Sequence, residues 1–125
     1  MKKILFFLLL LSLPLFVGAK TWFIANAVRF EVEDEWEKCH IQVSIDNDWK
    51  INIYAQTHLT IRKIKELGMF DDDEGNNHVL WGGIDQSGTE CIVALTKLKN
   101  TPYLRLTITF ESENFAVYYM LMPDN

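Results

Sequence analysis

The chain has 125 residues, with 12 Lys and Arg against 17 Asp and Glu, for a formal net charge of −5. That acidic balance argues against nucleic acid and anionic membranes as partners, because both are bound through positive surfaces, and it suits a basic protein partner. The length is that of one domain.

Residues 1–19 read as a secretory signal peptide: Lys2 and Lys3 open a run of apolar residues, 4–15, broken only by Ser12 and Pro14, and Val17-Gly18-Ala19 supplies a small-residue cleavage site. The run is short of the ~20 residues a membrane helix needs, and no cysteine near the cleavage point offers a lipid anchor. The expectation is an exported protein, periplasmic or extracellular, with no membrane anchor after cleavage. Residues 20–125 then form a single β domain, with ten basic against seventeen acidic side chains and a net charge near −7. A chain of this size buries roughly 60–70% of its unfolded surface, enough for one core.

In residues 21–33, Trp22, Ile24, Val28, Phe30 and Val32 share one strand phase, with Asn26 the polar exception. Glu33-Asp34-Glu35 turns the chain into Trp36 and a central hairpin, residues 39–55. There Cys39, Ile41, Val43 and Ile45 alternate with polar residues, as do Trp49, Ile51, Ile53 and Ala55. Closing at Asp46-Asn47-Asp48 sets Ile45 opposite Trp49 and Val43 opposite Ile51.

Residues 56–67 carry two signals. Leu59 and Ile61 continue the alternation, while Ile61, Ile64 and Leu67 repeat at three, as in a helix. The β-branched Thr57, Thr60, Ile61 and Ile64, with no helix cap before them, favour a bulged strand. Residues 68–77 read as a long acidic loop. Strands over 78–84 and 89–98 flank Asp85-Gln86-Ser87-Gly88, where Gly88 can take a positive φ. After a turn at Lys99-Asn100-Thr101-Pro102, residues 104–110 and 115–121 pair with 110 opposite 115 and 104 opposite 121. The sum is about eight short strands in an antiparallel meander. A small up-and-down barrel is expected, with a two-layer β-sandwich as the alternative.

Trp36-Glu37-x-Cys39, Ile45-Asp46, Ile51-x-Ile53-Tyr54 and Asp85-x-x-Gly88-x-x-Cys91 resemble a group of small exported Bacteroidetes β-domain proteins of unknown function. The likeness spans residues 28–119. It implies export and a β fold, and it transfers no functional residue.

Catalytic chemistry finds little support. His40, Ser44 and Asp46 lie on one strand, where residues four apart are about 13 Å from each other at ~3.3 Å per residue, far beyond hydrogen-bond reach. The run Asp71-Asp72-Asp73-Glu74-Gly75 invites a calcium reading, but an EF-hand needs glutamate at position twelve, and Gly82 stands there. A solvated hairpin loop is the simpler account; His58 and His78 are too weak a pair to define a metal site. Cys39 and Cys91 both fall on apolar strand faces. A sandwich could bring them together as a disulfide, whereas a meander barrel holds them apart as free thiols. Trp22 and Trp49 read as core residues. Trp81 is open to either face: inward as a large aromatic, or outward beside Gly82-Gly83 as a contact platform.

The function expected is a non-enzymatic binding module for an unknown protein or small ligand, without a cofactor. Its candidate contacts are Asp71, Asp72, Asp73, Glu74 and Trp81. Two alternatives stand: an inhibitor of a basic exported enzyme, and a metal-assisted hydrolase.

Overall fold

A computed structural model describes residues 20–33 and 35–124. The expected leader, residues 1–19, and Asp34 of the first turn lie outside the described residues. Eight strands follow one another: β1 (Lys20–Phe30), β2 (Glu37–Asp46), β3 (Ile51–Tyr54), β4 (His58–Asp71), β5 (Asn77–Asp85), β6 (Glu90–Lys97), β7 (Leu104–Phe110) and β8 (Phe115–Pro123). Each pairs antiparallel with its neighbour in sequence, and β8 pairs back onto β1 to close an eight-stranded barrel. Closure pairs the first and last strands, whose edges a meander would otherwise expose.

The β7–β8 hairpin has the register its alternation demands, Leu104 opposite Leu121 through Phe110 opposite Phe115. The central hairpin does not. Ile45 pairs with Ile51 and Val43 with Ile53, two residues away from the pairing expected from the break at 46–48. The reason is that Trp49 belongs to the turn, with φ 64, rather than to the strand. A slip of two leaves the inward set inward, so the same residues still fill the core.

That turn occurs three times in the barrel. Asp46, Asp72 and Asp85 each accept two backbone N–H groups on Oδ1, from the residues two and four positions on, at 2.9–3.0 Å. In each turn the residue three positions on has a positive φ: Gly75 (88°), Gly88 (86°) and Trp49 (64°). Asp side chains fold such turns by capping their own loop, and glycine is the usual occupant of the left-handed position. Trp49 departs from that pattern.

β1 also corrects the sequence reading. A register shift between Ala25 and Ala27 leaves Asn26 as a bulge and reverses the phase of the strand's first half. Phe23 and Ala25 are therefore buried, while Trp22 is exposed and Val32 lies in solvent. In β4 the three-residue repeat is that of a strand with two bulges, between Lys63 and Lys65 and between Glu66 and Gly68. The extra residues, Ile64 and Leu67, stand on the outer wall.

Phe23, Val43, Ile51, Ile53, Ile61, Val93, Leu95, Leu106, Ile108 and Leu121 pack the interior as one cluster. Cys39 and Cys91 sit on β2 and β6, separated by three strands in either direction around the wall, and both are free thiols. The disulfide that a sandwich would have allowed is absent.

Candidate functional site

The two ends of the barrel differ because β3 has only four residues and β4 has fourteen. β3 leaves β4 at the Ile51–Ile61 pair, and beyond Ile61 β4 pairs with β5 alone. The β4–β5 hairpin thus overhangs the mouth at one end, past the tip of the β2–β3 turn.

The loop at its tip is shorter than its sequence suggested. Asp71 still pairs with Asn77, leaving only residues 72–76 as the turn. Asp72, one of the expected partner contacts, is spent internally. Besides its turn bonds, Oδ2 lies 2.7 Å from His78 Nε2 and accepts Asn76 Nδ2 at 3.3 Å. Those contacts, His78 first and the Asn76 backbone N–H second, hold the Asp72 carboxyl at a pKa of about 2 against their burial penalty. Asp71, Asp73 and Glu74 are exposed. Asn76 Oδ1 accepts the Lys99 backbone N–H at 2.9 Å, tying this loop to the β6–β7 connection.

His78 joins a set that sequence reasoning missed. Its Nδ1 lies 2.8 Å from Thr96 Oγ1, and its ring stacks on Phe70 at 4.6 Å. Asp72, His78 and Thr96 therefore form an acid–imidazole–hydroxyl chain with nucleophile-like spacing. Thr96 is only 1% exposed, and through His78 it ties the hairpin tip to β6. The signal was out of reach because Thr96 comes from β6, eighteen residues on.

His58 lies at the opposite end, its Nε2 3.0 Å from Asn52 Oδ1 and its ring stacked on Tyr54 at 4.6 Å. Tyr54 in turn stacks on Trp22 at 5.7 Å, so one run of partly exposed rings joins β1, β3 and β4. His40 is exposed, Asp46 caps its turn, and Ser44 Oγ is buried with no hydrogen-bond partner, so these three do not converge. Among the described residues, no group of three or more His, Cys, Asp or Glu is gathered that could hold a metal ion.

Trp81 faces inward, opposite Val93, and is 2% exposed, so it offers no outer contact platform. Cys91 pairs with Gly83, which places Trp81 in the core phase.

Two recesses flank the overhang. On the outer wall, a groove of about 660 Å³ runs between the β4 bulge residues Ile64 and Leu67 and the short 3-10 turn after β7, with Gly82 and Ile92 between them and Glu90 and Glu111 also lining it. Ile64, Leu67 and Phe70 are 49%, 43% and 41% exposed and stand in a row along the strand. At the mouth, a second recess of about 290 Å³ lies between Trp49 and β4, lined also by Lys63, Glu66, Gly68, Met69, Val79 and Trp81.

Comparison of the chain with protein-family models, with curated proteins and with solved structures finds no match in any of the three.

Proposed function

We propose that this chain is an exported, non-enzymatic binding module that docks a protein partner on the outer wall of its overhanging β4–β5 hairpin. The observation that carries the reading is the row of Ile64, Leu67 and Phe70, left in solvent on a strand that is paired on one side only. Contiguous exposed apolar surface, rimmed by polar groups, marks interaction sites on soluble proteins. The rim is mainly acidic: Glu90 and Glu111 line the groove against Lys65, and Asp71, Asp73 and Glu74 sit at the tip. That charge fits a basic partner.

An inhibitor of a basic exported enzyme is the second reading, favoured by a filled barrel whose acidic hairpin tip overhangs the body. Both readings predict that partner capture depends on this wall. The test is a pull-down from the native secretome with wild type, with Ile64→Ser/Leu67→Ser, and with Asp71→Ala/Asp73→Ala/Glu74→Ala. Capture of a basic protein, lost in the first variant and salt-sensitive in wild type, supports docking. Equal capture by all three, at low and high salt, removes the wall from the mechanism. Inhibition of the captured protein's activity separates the second reading from the first.

A further inference from the structure

We infer that the mouth recess binds a small zwitterion with an apolar side chain, of the size and chemistry of a large apolar α-amino acid. This site is independent of the docking wall. Lys63 and Glu66 pair with Gly83 and Trp81 on the inward side of the hairpin, whereas Ile64 and Leu67 stand outside.

Size and lining come first. A volume of about 290 Å³ holds one such molecule, and Trp49, Trp81, Met69 and Val79 give it apolar walls. Small-ligand sites combine such walls with a few placed polar groups, and the mouth of a β-barrel is a usual position for them.

The polar groups set the charge of the ligand. Lys63 Nζ and Glu66 Oε1 lie 3.3 Å apart at the rim, and the Glu66 side chain is 77% exposed. A cation and an anion side by side on one strand are matched by a ligand whose own carboxylate and ammonium lie in the reverse order. The carboxylate then sits on Lys63 and the ammonium on Glu66. A ligand with a single charge gains one partner and meets a like charge at the other.

Two further observations point the same way. Trp81 lines the recess, and its Nε1 is buried with no hydrogen-bond partner. Buried donors are nearly always paired, and a small shift of the indole, whose nitrogen has no exposed surface here, would let a ligand oxygen satisfy this one. Trp49 holds its indole at the recess from a backbone conformation that its two sister turns give to glycine. Strain of that kind is kept where the surrounding structure uses it.

The experiment reads the indole N–H resonances of ¹⁵N-labelled protein during titration with L-phenylalanine and L-leucine. Trp81→Phe assigns the Trp81 signal, and phenylacetate and phenethylamine serve as probes that carry one charge each. The expected result is a saturable downfield movement of the Trp81 indole with either amino acid. Removing one charged hydrogen-bond partner weakens binding roughly tenfold, so Lys63→Met and Glu66→Gln should each do so, and each single-charge probe should trail L-phenylalanine by a similar factor. Lys63→Met and Glu66→Gln change partly or largely exposed side chains, and their amide spectra report that the fold is kept. No movement with either amino acid would overturn the assignment. So would equal binding of all four probes to wild type and to both charge variants.

Discussion

The Trp49 indole packs on that of Trp81 with ring centroids 5.0 Å apart and planes tilted by 51°. The left-handed backbone at Trp49 costs about 1–2 kcal/mol for a residue with a Cβ. Truncating a buried Trp costs about 3–5 kcal/mol. Packing wins, so Trp49→Gly should destabilise the protein by roughly 2 kcal/mol in urea unfolding. A variant as stable as wild type would mean that the backbone strain outweighs the packing. Gly88→Ala isolates the other half of the sum: its Cβ would meet nothing within 4 Å, so only the positive φ is charged, about 1–2 kcal/mol.

Neighbouring glycines on β5 should behave oppositely. A Cβ on Gly83 would stand 2.6 Å from Ile61 Cγ2 and 3.2 Å from the Arg62 carbonyl oxygen. Gly83→Ala therefore overpacks the core, at about 1–3 kcal/mol. A Cβ on Gly82 meets nothing closer than 3.9 Å, so Gly82→Ala should leave stability within about 0.5 kcal/mol. Chemical denaturation of the pair decides this; equal losses would contradict the inward and outward placement of the two residues.

Asp72 supplies the pH dependence. Its carboxyl is held near a pKa of about 2, below the usual 3.8, chiefly by His78. A depressed acid stabilises the fold above its unfolded pKa, and that contribution fades as the pH falls through the folded value. The melting-temperature gap between wild type and Asp72→Asn should thus be widest above about pH 4 and close toward about pH 2. An unchanged gap across that range would show that the carboxylate's charge is not used.

The cysteines test the barrel chemically. Burial, with the Asp85 charge adding to it, pushes the Cys91 thiol up to about 11, and burial also raises Cys39. The thiolate is the nucleophile, so at pH 8 only about one part in a thousand of Cys91 is reactive. Native protein should take up iodoacetamide slowly at Cys91, and denatured, unreduced protein should take up two equivalents. Failure to gain two adducts would indicate a disulfide and a different architecture.

The strands themselves were legible because their inward residues alternate, and Leu104 to Phe110 against Phe115 to Leu121 shows this at its clearest. Bulges were the main source of error. Asn26 inserts one residue and turns Trp22 outward, which no periodicity announces in advance. In β4 the β-branched residues did favour a bulged strand over a helix, but the structure has two bulges there, and the second, at Leu67, carried no such signal. The overhang was hidden by acidic composition: residues 68–71 read as loop, although Asp71 pairs with Asn77. The polar anchor was hidden by topology, because nothing local joins Asp72 to Thr96. Trp81 was undecidable from its neighbours alone and depended on Cys91 meeting Gly83 rather than Gly82.

Seven of the eight seams join strands adjacent in sequence, but the β1–β8 seam joins Phe30 to Val117 and Phe23 to Pro123, residues 87 to 100 apart. Loop-closure entropy makes such a contact late and slow relative to the hairpins. Yet the Asp124 backbone N–H donates to the Trp22 carbonyl oxygen at 3.0 Å, so the two ends of the described chain already touch. A circular permutant that joins them by a short linker and opens the chain at residues 99–100 turns the slow seam into a hairpin and makes β6–β7 the distant pair. Refolding of the permutant should then become sensitive to substitutions along β6–β7 and insensitive to those along β1–β8. On this ring of strands, the last step of folding is a property of where the chain is cut.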